Sequence, residues 1–182
     1  MHYIICDLEA TCWAEERRPE RMEIIEIGAV KLASAGGPVL GEFSAFVRPV
    51  REPTLSDYCR ELTSITQDDV DNADPFPIVL ERFLAWMGEP PLRFCSWGQY
   101  DLNQLRLDCD RYDLAFPAHF ADHLNVKNAW AAWKGVTPKG LARALRLMDM
   151  ELEGRHHRGM DDARNIARIC MAMGEEWVDG RR

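Results

Sequence analysis

An apolar run that ends in two acids constrains this chain more than any other feature. The segment YIICDLEATCW starts at Tyr3 and runs through Ile4, Ile5 and Cys6 into Asp7, with Glu9 two positions on. Side chains two apart on a strand point to one face. A strand here therefore aims both carboxylates at whatever covers it. Two like charges on one face repel unless water surrounds them or a cation lies between them, and hard divalent cations take oxygen ligands. Alone, the pair fits either solvated acids at a strand end or half of a cation site.

The rest of the chain alternates between strand and helix patterns. Tyr3–Leu8 is expected as a first strand, Glu23–Ala33 as a second and Leu40–Pro49 as a third, with a turn at Ala35–Pro38. Strands joined this briefly pair antiparallel. Residues 49–75 read as irregular with short helical turns. A helix is expected over Phe76–Met87, stopped by Glu89–Pro91, then a strand over Leu92–Trp97 and a helix over Gly98–Asp110. A short fifth strand near Phe120–Leu124 precedes helices at Val126–Trp133, Lys139–Leu147 and Met160–Met173. The pattern implies an α/β fold, a five-stranded mixed sheet flanked by helices. Residues 1–175 form one domain, and 176–182 a tail expected to fray.

Composition narrows the function. A net charge of −8 argues against a passive nucleic-acid binder, whose affinity comes from Lys and Arg on phosphates. It admits an enzyme that meets phosphates through bound metal ions, since such a site needs surplus carboxylates. The six cysteines form no CxxC pair, which argues against a zinc ribbon and for reduced thiols packed as small hydrophobes. No basic region precedes an apolar stretch at the start, and no apolar run approaches the ~20 residues of a membrane span. A soluble, cytoplasmic protein with no membrane partner is expected.

Further acids join the first two. In CSWGQYDLNQL, Asp101 opens a helix just past the fourth strand, where open α/β sheets place ligands; an acid at a helix N-terminus is also ordinary. In GRHHRGMDDARNIARICMAM, helical phase separates the adjacent Asp161 and Asp162. Asp162 shares a face with Ile166, Ile169 and Met173, so it sits at the edge of the buried face and calls for a cation partner. Asp161 aligns with Asn165 and Arg168, the polar side. His157, five residues before Asp162, is an ordinary surface residue by itself and a general base if a metal site lies beside it. Trp130 and Trp133 read as core.

In order, DLEATC, WGQYD and HRGMDD resemble the three motifs of the DEDDh branch of the DEDD 3′→5′ exonuclease superfamily, whose mark is a His four residues clear of the last Asp. LSDYCRELTSITQDDVDNA, GRHHRGMDDARNIARI and AWAAWKG bring the chain closest to the subgroup of the histone-mRNA 3′-end exonuclease and sporulation-inhibitor-type proteins. The resemblance covers nearly the whole chain. It implies a ribonuclease H-like fold and hydrolysis of single-stranded nucleic acid from its 3′ end, RNA favoured, to nucleoside 5′-monophosphates. Asp7, Glu9, Asp101 and Asp162 would hold two divalent ions, Mg²⁺ or Mn²⁺, with His157 as general base. By the same resemblance, the terminal base would meet Tyr58, Leu62 and Ile65, with Tyr100 beside the nucleotide and the backbone of Ala10 and Thr11 near its sugar. Arg155, Arg158 and Arg164 are candidate phosphate contacts. The chain departs from many relatives at Ser64, where LTSI replaces LTGI. A DNA exonuclease, a catalytically silent nucleic-acid-binding or regulatory module and a structural Ca²⁺ site remain as alternatives, and protein partners are not specified.

Overall fold

The computed structural model describes residues 1–15 and 18–179. Its sheet has five strands: β1 (His2–Ala10), β2 (Ile24–Leu32), β3 (Val39–Phe46), β4 (Leu92–Ser96) and β5 (His123–Asn125), in the order β3-β2-β1-β4-β5. β1, β2 and β3 pair antiparallel, whereas β4 lies parallel to β1 and β5 parallel to β4. The mixed sheet matches the expectation, with strand limits shifted by a few residues. Between β3 and β4 lie α1 (Asp57–Thr63), α2 (Gln67–Asp71) and α3 (Phe76–Met87). Beyond β4 come α4 (Tyr100–Arg111), α5 (Val126–Lys134), α6 (Leu141–Leu147), α7 (Gly159–Met173) and α8 (Glu176–Asp179).

β1 is central and covered on both faces, which is why its apolar run has no polar gap. Ile4, Cys6 and Leu8 face a core built with Phe76, Phe83 and Leu105 of α3 and α4. Tyr3 and Ile5 face the opposite core, with Trp130 of α5 and Ile166, Ile169 and Cys170 of α7. Strand alternation then sends Asp7 and Glu9 toward the α7 side. Trp130 is fully buried, as expected of a core residue, and Trp133 packs at its edge. Trp177 is also buried, in contact with Tyr3. Trp177 and Val178 pack on the domain instead of trailing from it, because an indole this large gains most by joining the core. The fraying expected at residues 180–182, and Arg17 of the polar 12–22 loop, lie outside the described residues.

The position of α7 is set by two glycines. A Cβ on Gly28 of β2 would fall 2.1 Å from the Gly159 carbonyl carbon and 2.2 Å from the Met160 nitrogen. These are backbone atoms, so no side-chain rotation can make room. Glu26, fully buried two residues earlier, accepts the Gly159 amide at 2.9 Å and so satisfies a free N–H at the start of α7.

Asn165, expected on a polar face, is fully buried. Its side chain donates to the carbonyls of Glu153 and Asp161 at 2.8 Å and accepts the Glu153 amide at 3.1 Å. It braces the loop before α7, a job only a polar group can do inside the protein. Ser64 caps α1 in the left-handed region, with φ 61°. A side chain there costs roughly 1–2 kcal/mol relative to glycine, which gives the glycine of LTGI a backbone reason.

Gly28→Ala is expected to push α7 off β2 and destabilise the protein by roughly 3 kcal/mol. That corresponds to about 6–12 °C in Tm for a chain of this size. Thermal unfolding followed by circular dichroism checks it, and a Tm within about 2 °C of the parent would overturn the account.

Candidate active site

The C-terminal end of β1, the start of α4 and the start of α7 meet at a cleft of about 410 Å³. Asp7, Glu9, Asp101, His157 and Asp162 all line it. The structure thus brings together every acid and the histidine singled out from sequence. Asp7, Glu9 and Asp162 each offer a carboxylate oxygen within 4.8 Å of the others. Glu9 and Asp162 are buried and Asp7 is half-buried. Asp101, also buried, is the neighbouring charge that acts most on Asp7, and it accepts the Leu8 amide at 3.0 Å. That bond ties the first helical turn of α4 to the strand carrying the other acids.

The trio is electrostatically strained. Burial, then the charges of Asp101, Glu9, Asp162 and Glu26, push the Asp7 carboxyl well above the ordinary range. Burial and the neighbouring Asp162 and Glu26 push Glu9 up to about 9. Burial lifts Asp101 to about 6, opposed by the hydrogen bond from Leu8. Asp7 and Glu9 have no hydrogen-bond donor among the described residues. Two other buried acids differ. Asp108 accepts the Ile24 amide, the Gln104 amide and Arg111. Glu23 accepts the amides of Val50, Arg51 and Glu52 at 2.9–3.0 Å. Those two are satisfied structural carboxylates; the cleft pair is left free to bind.

Asp162 is held by two histidines. His156 Nδ1 lies 2.9 and 3.0 Å from its two oxygens, and the His157 amide donates to it at 3.0 Å. The imidazoles stack with centroids 4.0 Å apart. Asp162 raises the pKa of His156, while burial and the neighbouring His156 lower that of His157. His157 also sits at φ 64°, an uncommon region for a side chain, which fixes where the ring can point. His156 escapes a reading of the sequence, where its only signal is adjacency in RHHRG. Lys127 escapes it as well; among the described residues it is the one Lys or Arg lining the cleft, near the Gly98 backbone.

The expected nucleotide contacts divide. Ala10, Leu62 and Tyr100 line the cleft. Tyr58 is exposed on α1, one turn from Leu62 and outside the lining. Ile65 is fully buried in a small core with Ile25, Leu55 and Val70, so its side chain supports the wall and cannot reach a base. The Thr11 amide donates to the Glu23 carbonyl at 2.8 Å and its hydroxyl accepts the Glu23 amide at 2.9 Å. Those groups close the β1–β2 ladder and are not free for a sugar. Among the arginines, Arg158 pairs with Glu26 at 3.2 Å and Arg164 with Glu42 at 2.6 Å. The Arg155 backbone amide donates to Asp161.

Comparison with known proteins agrees with this geometry. The Exonuclease family model, of RNase T type, matches residues 4–170. The chain is 36% identical to the zebrafish (Danio rerio) protein named ERI1 exoribonuclease 2 over 93% of its own length, and it spans 34% of that relative. Among solved structures, it superposes with TM-score 0.88 on the nuclease domain of 3′hExo, described as a DEDDh family member bound to rAMP. Identity there is 34%, covering 94% of this chain and 90% of that one. A 3′-exonuclease structure concerned with 3′-end-specific recognition of the histone mRNA stem-loop superposes with TM-score 0.90 at 31% identity, covering 96% of this chain and 64% of that one. The five-stranded sheet is the ribonuclease H-like arrangement of these neighbours. With its motifs gathered in one cleft and nearly its whole length matched, the chain belongs to the exonuclease family, in the DEDDh group of the histone-mRNA 3′-exonuclease.

Proposed function

We propose that the protein is a metal-dependent 3′→5′ exonuclease that removes nucleoside 5′-monophosphates from single-stranded nucleic acid, with RNA favoured over DNA. The observation that carries this is the convergence of the Asp7, Glu9 and Asp162 oxygens within 4.8 Å, in the cleft that His157 also lines. The preference for RNA rests on relatives named exoribonucleases.

The family works with divalent metal ions, and the residues here fit them. The trio is all oxygen, is mutually repelling and lacks protein donors at Asp7 and Glu9. These are the properties a hard cation relieves. Asp7, Glu9 and Asp162, with Asp101, would hold two such ions, Mg²⁺ or Mn²⁺. When bound, they supply Lewis acidity at the phosphodiester and an activated water nucleophile.

The chain's own groups do the rest. His157, kept neutral by its lowered pKa, accepts the proton of the attacking water. His156, bonded to Asp162 and stacked on His157, positions that ring. Leu62 and Tyr100 offer apolar surface to the terminal nucleotide, since every base has a stackable face. Lys127 is placed to meet a phosphate.

With 5′-labelled RNA and DNA of one sequence, Mg²⁺ or Mn²⁺ should give a ladder shortening from the 3′ end, faster on RNA. EDTA or Asp7→Ala should abolish it. Intact strands under either metal, with folded protein, would leave the silent binding module as the reading.

His157→Ala should lower kcat by roughly 10²–10⁴-fold. His157 must be neutral to accept a proton, and its pKa is lowered from 6.5. The acid limb of the parent rate profile should therefore lie below pH 6.5; a midpoint above it would count against this base.

The strained acids also predict an unusual stability profile. The metal-free folded protein keeps Glu9 protonated where the unfolded chain has lost that proton. Its stability therefore falls as pH rises from about 4.5 toward about 9. After EDTA treatment, Tm should drop across that window, and Mg²⁺ or Mn²⁺ should raise it more at pH 8.5 than at pH 5. Glu9→Gln should raise the metal-free Tm at pH 8, by about 2–4 °C for each kcal/mol of repulsion removed, while blunting the response to metal. A flat profile in EDTA would contradict the electrostatic reading.

A further inference from the structure

Two of the six thiols are placed unlike the rest. Cys6, Cys95, Cys109 and Cys170 are fully buried in the two main cores. Cys12 is half-buried and lines the cleft. It packs against the small core under α1 that contains Cys59. Ser56, the N-cap of α1, joins the two backbones: its hydroxyl donates to the Cys12 carbonyl at 2.6 Å and accepts the Cys59 amide at 3.0 Å. The Cys59 thiol donates to the Ala10 carbonyl at 3.8 Å, two residues before Cys12, and the two cysteine side chains lie beside each other. One residue of the pair lines the cleft and its partner lies behind it in the small core. The cleavage mechanism uses neither.

We propose that Cys12 and Cys59 form a thiol modification site that a peroxide closes, reversibly, into an intramolecular disulfide at the wall of the cleft. Peroxide reaches the cleft-lining residue first: Cys12–SH and H₂O₂ give Cys12–SOH and water. The Cys59 thiol then attacks that sulfur and expels a second water. The S–S bond forms, the peroxide O–O bond breaks, and two electrons pass from the two sulfurs to the peroxide. Cys59 and burial hold the Cys12 thiol up, as burial holds up the other four, so access from the cleft and the neighbouring sulfur select this pair, not acidity. A disulfide holds its sulfurs about 2.05 Å apart, well inside thiol contact distance. Closing it draws the segment after Ala10 against α1, which carries Leu62, and reshapes the wall proposed to hold the terminal nucleotide. That consequence for activity rests on the exonuclease reading; the modification does not.

The test treats the folded protein with a slight excess of H₂O₂, then quenches with a thiol-blocking reagent. The expected result is an intact mass lower by two hydrogens, a proteolytic fragment linking Cys12 to Cys59, four other thiols blocked, and reversal by dithiothreitol. Cys12→Ser should abolish the linkage. Cys59→Ala, at a fully buried position, is used only if circular dichroism shows it folded; Cys12→Ser carries the test otherwise. Both thiols 12 and 59 remaining free, sulfinic or sulfonic acid at Cys12 without a linkage, or linkage to another cysteine would each overturn the proposal. On labelled RNA, the oxidised parent should cleave on the order of tenfold or more slowly than the reduced parent, as small displacements at reacting groups do, and Cys12→Ser should give a ratio near unity. An RNA substrate left intact by reduced and oxidised protein alike would count against the exonuclease reading and leave the mass result to decide the thiol site.

Discussion

Helix α7 reaches β2 with no side chain between them, because Gly28 and Gly159 meet backbone to backbone. The rest of the cleft depends on that contact. With α7 this low on the sheet, Glu26 can accept the Gly159 amide directly. Asp162 then lies within the first turn of the helix, over the strand face that carries Asp7 and Glu9. The pairing of Glu9 with Glu26 across β1 and β2 brings a further carboxylate to the same spot. Arg158 answers Glu26 from the helix side, and its guanidinium also lies over Phe46. One backbone approach therefore sets the spacing of the acids, and a methyl group at Gly28 would be felt by all of them.

Such a cluster opposes folding. Burial is costly for a carboxylate without a donor, and the fold distinguishes acids it satisfies from acids it leaves exposed to one another. Glu23 and Asp108 sit close by, more deeply buried than Asp7 and Glu9, each with its own donors. Asp7 and Glu9 have burial and like charges acting on them instead. The contrast lies within one small region of one sheet, so general acidity does not explain it. It marks the pair as groups whose partner comes from outside the chain, and it makes stability and ligand binding read the same charges.

The parts of this arrangement that are legible in the sequence follow simple periods. Asp7 and Glu9 are two apart on a strand, and Asp162 is four and seven residues from Ile166 and Ile169 on a helix. Those spacings alone put the acids on inward faces. His157 follows from its spacing to Asp162 through family resemblance. What escapes depends on long-range backbone partners, which have no period. Asn165 reads as surface because its helical neighbours Asp161 and Arg168 are polar, yet it braces a loop 12 residues away. Thr11 and Ile65 fall in the right motifs but turn into the ladder and the small core. Arg158 and Arg164 read as available for phosphates and are engaged by Glu26 and Glu42, residues more than a hundred positions distant. His156 has no independent signal beside a more familiar histidine.

The chain's net charge and the proposed substrate fit together only through the cleft. A chain at −8 repels a polyanion overall, and in the cleft burial and like charge hold Asp7 and Glu9 toward their protonated forms until a cation relieves them. On the proposed reading, bound cations would give the phosphates of a strand something positive to meet. The charge that opposes folding of the metal-free chain is thus the charge that the proposed function would put to use.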